Sequence, residues 1–307
     1  MSSEQTSPQL RTPVARFMYG ALARFLRLVV GVFYRQIDVV GLENVPNEGP
    51  VIFAGNHPNS LLDPVLIITT CGRFVHFAAK DVLFKNPVAR LVLSRLGAVP
   101  VQRRADHGEG ADNRGAFDRL TAVLARGRAM GIFPEGLSHD LAQLQQLKTG
   151  AARIALDVAA RGRAIAIVPC GLNYVRPKRF RSRVLVQYGP PIVVEPPTPG
   201  TDERDASREL TARIDRALRA LTVNAPDWET VRVIDAVRRL YQPPRIPLED
   251  RVELARRFTS VYAAVKDVPE VRALYARVEE WLARLDAAGL DDRDLARDLQ
   301  PREIARR

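Results

Sequence analysis

Residues 50–64 read PVIFAGNHPNSLLDP, and the fold follows from them. Residues 50–54 form an apolar run with the length and continuity of a strand covered on both faces. A polar turn follows, and residues 62–70 resume with helical spacing. Strand, turn and helix make the repeating unit of an α/β protein. The order sets His57 at the strand's carboxyl end, where open α/β sheets place their ligands. Asp63 lies about one and a half helical turns further on, near enough for its carboxylate to fold back toward the imidazole. A carboxylate on one ring nitrogen fixes the tautomer and raises the basicity of the other. A His–Asp pair without a nucleophile suits removal of a proton from a bound hydroxyl or water. The same residues also fit a helix-capping aspartate beside an incidental histidine.

Outward from this unit, strand-like segments recur at 37–41, 74–79, 98–101, 129–133, 164–170 and 183–188. Helical patterns separate them near 86–96, 113–127 and 149–161. The alternation predicts a mixed, mostly parallel sheet flanked by helices. At 190–201 the run PPIVVEPPTPGT is expected to end the sheet, because prolines supply no ladder N–H. The reading therefore divides the chain into an N-terminal helix (1–36), a catalytic domain (37–200) and a helical extension (201–307). In the extension Leu210, Ile214, Ala217, Leu218 and Leu221 form one amphipathic stripe. Asp227 can cap a helix running to Tyr241. Residues 249–265 and 269–287 pair as helices, the second carrying a heptad-like row of Val271, Leu274, Tyr275, Val278, Trp281, Leu282 and Leu285. That row suits its partner helix, or a dimer seam.

The segment 14–36 is apolar but interrupted by Arg16, Arg24, Arg27 and Arg35. Its longest uncharged apolar run, residues 28–34, is far short of the roughly 20 residues a bilayer span needs. Positions 16, 20, 24, 27, 31 and 35 recur at helical spacing, placing four arginines and two glycines on one stripe. Such a helix lies in a membrane interface with arginines reaching anionic headgroups, or packs its apolar side on its own domain.

Composition narrows the class. The 307 residues are 46% hydrophobic and 26% charged, which excludes a disordered tail, a collagen and a disulfide mini-protein. Residues 201–307 hold 21 basic and 21 acidic side chains, so the net +11 belongs to residues 1–200. A basic field attracts nucleic acid, an anionic membrane or a phosphorylated small molecule; all but five of the 46 cations are arginine, which also fits GC-rich coding. No nucleic-acid-binding signature accompanies them, and arginines are not interleaved with aromatics, so no nucleic-acid partner is expected. Cys71 and Cys170 match no metal or redox spacing and read as buried free thiols. His76 and His107 share no ligand spacing with each other or with a cysteine, so no metal is expected. The polar N-terminus lacks the features of a signal peptide, which places the catalytic part on the cytoplasmic side.

Three further clusters follow strands: Gly97-Ala-Val-Pro-Val-Gln-Arg103-Arg104, Ile132-Phe133-Pro134-Glu135-Gly136-Leu137-Ser138-His139-Asp140, and Ile167-Val-Pro169-Cys-Gly-Leu-Asn-Tyr174. An arginine after a short strand can grip a phosphate bidentately, and an acid beside a glycine can bond a substrate hydroxyl or orient an arginine. Together with His57 and Asp63, the four blocks in this order resemble the motifs of the glycerolipid acyltransferase superfamily, the PlsC-like phosphate acyltransferases. Two departures are similar to one branch of it, the yeast-type glycerol-3-phosphate and dihydroxyacetone-phosphate acyltransferases. Five rather than four residues separate His57 from Asp63, and Leu-Ser-His-Asp follows Phe-Pro-Glu-Gly in place of Thr-Arg-Ser. The strings Leu147–Gly150, Cys170–Tyr174, Phe180–Arg183 and Val233–Pro243 resemble that branch as well. Its large membrane-spanning insertions are missing, which implies a compact version.

The resemblance implies acyl transfer from acyl-CoA or acyl carrier protein to glycerol 3-phosphate or dihydroxyacetone phosphate, with lysophosphatidate as the wider family's acceptor, on an anionic membrane surface. His57 is then the general base and Asp63 its orienting partner. No serine-nucleophile elbow of the Gly-x-Ser-x-Gly type is present, and no cofactor is required beyond the acyl donor. Arg103 is expected on the acceptor phosphate, Glu135 and Gly136 on the acceptor's backbone and hydroxyls. Asn56, Gly97, Phe133 and Pro134 complete the substrate-binding set, with Pro169 in the floor of the acyl or donor site. Ser138 and His139 extend the phosphate pocket or are structural, and Lys148 flanks the next helix or adds a charge. The basic run 176–183 is a solvated turn or a contact for CoA, carrier protein or headgroups. A catalytically idle lipid-binding copy of the fold is disfavoured, since His57, Asp63, Arg103 and Glu135 are all present.

Overall fold

The computed structural model describes residues 13–102, 114–176, 179–198, 200–241 and 246–290. Helix α1 (Pro13–Phe33) leads into β1 (Tyr34–Val40). Then come β2 (Val51–Gly55), α2 (Leu62–Thr70), β3 (Val75–Lys80), α3 (Pro87–Arg95) and β4 (Val99–Val101). They are followed by α4 (Arg114–Ala125), β5 (Ala129–Ile132), α5 (Gly150–Ala160), β6 (Ile165–Tyr174), β7 (Ser182–Tyr188) and β8 (Ile192–Val194). The strands form one mixed sheet in the order β1-β7-β6-β2-β5-β3-β4, with β8 also on β6. Neighbours run parallel except where β6 meets β7 and β8.

The continuous apolar character of β2 has its cause here. Ile52 and Ala54 join the core under α4 and α5, whereas Val51 and Phe53 join the opposite core under α1 and α2. Strands β2, β5 and β6 are parallel neighbours, so the loops after Gly55 and Ile132 open together on one edge, with β6 running on past them to Tyr174. Pro169 stands inside β6 without cost to the ladder. β6 pairs with β8 through Ile167 and with β7 from Cys170, so the missing N–H falls at the change of partner. The Pro169 carbonyl on that side accepts from the Gly189 N–H at 2.8 Å.

Three sequence expectations change. First, the proline run does not end the sheet: Ile192–Val194 is a strand, because the prolines flank those residues and leave Ile192, Val193 and Val194 to pair with β6. Second, the compact unit holding the sheet does not stop at 200 but runs to Thr222, leaving out only residues 141–143. Helix α6 (Glu203–Leu221), capped by Asp202, buries Leu210, Ile214 and Leu218 in the core under β2 and β6. Its Leu221 sits against Gly171 and Gly189, where a Cβ would meet Leu221 atoms at 2.7 and 2.9 Å. Third, the N-terminal helix is not a separate element ending at 36. Tyr34 already pairs with β7, and the Arg181 N–H holds the Phe33 carbonyl at 2.7 Å.

Helix α1 has two apolar sides. Val30 is fully buried and Tyr19, Leu22, Leu26 and Phe33 pack against the core, while Phe25, Leu28, Val29 and Val32 are exposed by 40–65%. Arg27 is exposed, and its guanidinium donates to the Thr69 carbonyl at 2.6 Å, at the negative end of α2. Among the described residues no helix is long and apolar enough to cross a membrane.

The second compact unit comprises residues 141–143 and the chain from Val223. Its helices are α7 (Trp228–Tyr241), α8 (Leu248–Val265) and α9 (Pro269–Ala287). Asp227 accepts from the Thr230 N–H at 2.7 Å, the predicted cap. Leu282 and Leu285 of the heptad-like row are buried with Val233 and Ala236, whereas Leu274 and Trp281 remain exposed. Asp235 gathers Arg238, Arg239 and Arg251. Burial opposes its charge, and the three guanidiniums outweigh that and hold the carboxyl below its ordinary range.

Candidate active site

His57 and Asp63 meet as the sequence suggests. The turn after β2 carries the imidazole, α2 begins at Leu62, and the Asp63 carboxylate in its first turn is fully buried. His57 Nδ1 lies 2.8 Å from Asp63 Oδ2. The same oxygen accepts the Asn59 N–H at 2.7 Å, and the other accepts the Tyr174 hydroxyl. The imidazole stacks flat on Phe133, centroids 4.0 Å apart and planes 4° from parallel, with Phe77 next in the stack. Phe133 thus orients the imidazole as a ring platform. With Nδ1 engaged, Nε2 is the ring nitrogen left for chemistry.

Glu135 is placed differently from its sequence reading. It is 2% exposed, and both oxygens are engaged: Oε1 accepts the His57 N–H at 3.1 Å, Oε2 the Gln145 N–H at 2.8 Å and His139 Nε2 at 2.5 Å. A buried carboxylate with three protein partners does not reach for a substrate hydroxyl; it ties the loop after β5 to the loop after β2. His139 belongs to that tie, and its N–H also donates to the His57 carbonyl at 3.2 Å. Ser138 joins the same two loops, its Oγ accepting the Ser60 N–H and lying 3.0 Å from the Ser60 hydroxyl. Ser60 has a positive φ of 39°, a conformation that bond helps to hold.

Asn56 is likewise a structural bracket. Its amide accepts the Leu172 N–H at 2.8 Å and donates to the Leu172 carbonyl at 3.1 Å, extending the contact between β2 and β6. Gly97 is glycine for a packing reason. Its φ is +69°, and a Cβ would stand 2.4 Å from Nδ1 of the buried His76. Gly136 also has a positive φ, and the Lys148 side chain lies across it, with Nζ 2.6 Å from where a Cβ would be. The exposed Lys148 ammonium therefore sits over the Pro134–Gly136 turn, while its N–H donates to the Pro134 carbonyl at 2.8 Å. Arg103, Arg104 and His107 lie outside the described residues, as do Pro177 and Lys178 of the basic run.

Tyr174 and Tyr34 are functional neighbours that sequence reasoning missed. Tyr174 stood only inside a family-like string and Tyr34 only in an apolar run. Burial, with the charge of Asp63, keeps the Tyr174 hydroxyl well above its ordinary range. Both cysteines are buried free thiols, and burial pushes Cys71 up to about 11. Among the described residues no group of three His, Cys, Asp or Glu side chains could hold a metal ion.

Residues 36–173 match the Acyltransferase family, and residues 233–305 match the Glycerol-3-phosphate acyltransferase 2 C-terminal domain. The glycerol-3-phosphate O-acyltransferase 2 of Saccharomyces cerevisiae is 40% identical over 194 residues, covering 61% of this chain and 26% of that one. Glycerol-3-phosphate O-acyltransferase 1 of the same yeast is 27% identical over an alignment covering 90% of this chain and 49% of its own. The chain thus spans about a quarter to a half of the length of these curated relatives. The crystal structure of the 1-acyl-sn-glycerophosphate acyltransferase PlsC of Thermotoga maritima shares the fold, at 20% identity with a TM-score of 0.51, covering 70% of this chain and 85% of that one. The chain thus carries an Acyltransferase-family domain followed by a region of the Glycerol-3-phosphate acyltransferase 2 C-terminal type, a combination that supports the PlsC-like glycerolipid acyltransferases and their yeast glycerol-3-phosphate acyltransferase branch.

Proposed function

We propose that the protein transfers a fatty acyl group from a thioester, acyl-CoA or acyl carrier protein, to a hydroxyl of glycerol 3-phosphate or dihydroxyacetone phosphate. The observation that carries the reading is the 2.8 Å bond between His57 Nδ1 and the buried Asp63, which leaves Nε2 to take the hydroxyl proton. The oxygen then attacks the thioester carbonyl, the carbon–sulfur bond breaks, and the departing thiolate recovers a proton from the imidazolium. Asp63 stabilises that imidazolium. The acceptor choice follows the names of the yeast relatives. Arg103 is assigned to the acceptor phosphate on the strength of its motif position six residues after Gly97. Gly136 and Pro134 shape the acceptor side, and Pro169 the floor of the acyl site. The exposed Phe25, Leu28, Val29 and Val32, with exposed Arg24 and Arg35 nearby, suit α1 to rest on an anionic membrane surface while its other side stays on the core.

Purified protein given palmitoyl-CoA with glycerol 3-phosphate or lysophosphatidate, beside His57→Ala, tests the reading. Lysophosphatidate formed from glycerol 3-phosphate and lost in the variant supports it. Phosphatidate made only from lysophosphatidate keeps the chemistry and replaces the acceptor. Transfer that survives in His57→Ala overturns the mechanism. Co-sedimentation with anionic vesicles tests the surface: Leu28→Asp with Val32→Asp is expected to abolish binding, and binding unchanged would remove α1 from it.

A further inference from the structure

Asp63 stands in a hydrogen-bond network larger than the proposed catalytic pair. Its Oδ2 serves His57 and the Asn59 N–H, and its Oδ1 accepts from Tyr174. The Tyr34 ring packs beside that of Tyr174, centroids 5.8 Å apart, and the Asn59 side-chain amide donates to the Tyr34 oxygen at 2.9 Å. Asn59 thus ties Tyr34, through its side-chain amide, to Asp63, through its N–H. Tyr174 ends β6 and Tyr34 begins β1, so two strands on opposite sides of β7 grip the turn that carries the base.

A buried carboxylate with an unengaged oxygen can rotate and lose the geometry its imidazole needs. We propose that Tyr174, backed by Tyr34, is a positioning residue of the acyl transfer: by occupying Oδ1 it fixes which oxygen of Asp63 faces His57. The inference rests on His57 and Asp63 being the reacting pair. Neither phenol needs to touch substrate; both act through Asp63. A hydrogen bond to a charged group contributes on the order of a factor of 10 to 100, and the more remote Tyr34 contributes less.

The test measures turnover and the hydrogen bond separately. Tyr174→Phe is expected to lower kcat about 10–100-fold while both KM values stay within about two-fold, and Tyr34→Phe to lower kcat about 3–10-fold. In an Asp63→Asn background Tyr174→Phe should add less than about two-fold, because its effect travels through the carboxylate. The far-downfield proton signal of His57 Nδ1–H should shift or broaden in Tyr174→Phe, with the thermal midpoint as a check on folding. An unmoved signal with unchanged kcat overturns the proposal, as does a full effect of Tyr174→Phe in the Asp63→Asn background. If the wild type transfers no acyl group, the proposed function fails, and the proton signal still decides the positioning role. If Tyr174→Phe does not fold, Tyr34→Phe decides by the same readings.

Discussion

The site contains two imidazole–carboxylate pairs built from neighbouring loops, and they do different work. In His57–Asp63 the carboxylate takes one N–H of its own turn, from Asn59, and the Tyr174 hydroxyl, and it holds one ring nitrogen while leaving the other open. In His139–Glu135 the carboxylate serves the backbone as well, taking the N–H groups of His57 and Gln145. In the proposed function the first pair changes its charge during the reaction, whereas the second keeps two loops together. The difference shows that a buried acid next to a histidine is not by itself a catalytic signature; what the remaining atoms face decides.

Substitutions can break this contrast. His57→Ala is expected to lower kcat about 10,000-fold with the fold intact, measured by turnover and circular dichroism. Asp63→Asn should cost about 1,000-fold in kcat, since the amide favours the wrong tautomer. Glu135→Gln should instead act on stability, lowering it by about 3 kcal/mol in urea melts because donors to a buried charge lose their acceptor. If Glu135→Gln leaves stability unchanged and only turnover falls, the two pairs are alike after all.

His76 sharpens the comparison: it is buried, and its Nδ1 lies 3.0 Å from a backbone carbonyl, that of Gly97, rather than from a carboxylate. Burial pushes its imidazole from 6.5 down to about 4; the Gly97 bond opposes that, and Arg128 adds to it. Unfolded chain therefore takes up this proton first, so stability falls as pH drops from about 6.5 to about 4, by about 3 kcal/mol at 1.36 kcal/mol per unit. Urea melts at pH 7 and pH 4.5 should show that slope, and His76→Phe should flatten it. The smallest effect is expected from His139→Gln, whose amide can still donate to Glu135: turnover should stay within about five-fold.

Much of this was legible in the residues themselves. The strand and helix around His57 were, since β2 is apolar without interruption and α2 starts where its spacing starts. The three-residue β8 was not, because prolines on both sides mask a short pairing segment. The stripe of Leu210, Ile214 and Leu218 announced an amphipathic helix, but a stripe does not say which core it joins. Site residues divided in the same way. His57 and Asp63 are six positions apart and could be paired by turn geometry, whereas Tyr174 is 111 positions from Asp63 and only the sheet brings it there. Glu135 was read as a group for the acceptor's hydroxyls, and sequence could not show that its oxygens were already taken by His57, Gln145 and His139.

The pairing of β1 with β7 has a consequence for synthesis. Tyr34 aligns with Ser182, so β1 must wait for a partner made 148 residues later. At about 5–20 residues per second that delay is roughly 7–30 seconds. Throughout it the apolar sides of α1 have no finished sheet to rest on, and they stay uncovered by it until the edge of the sheet closes.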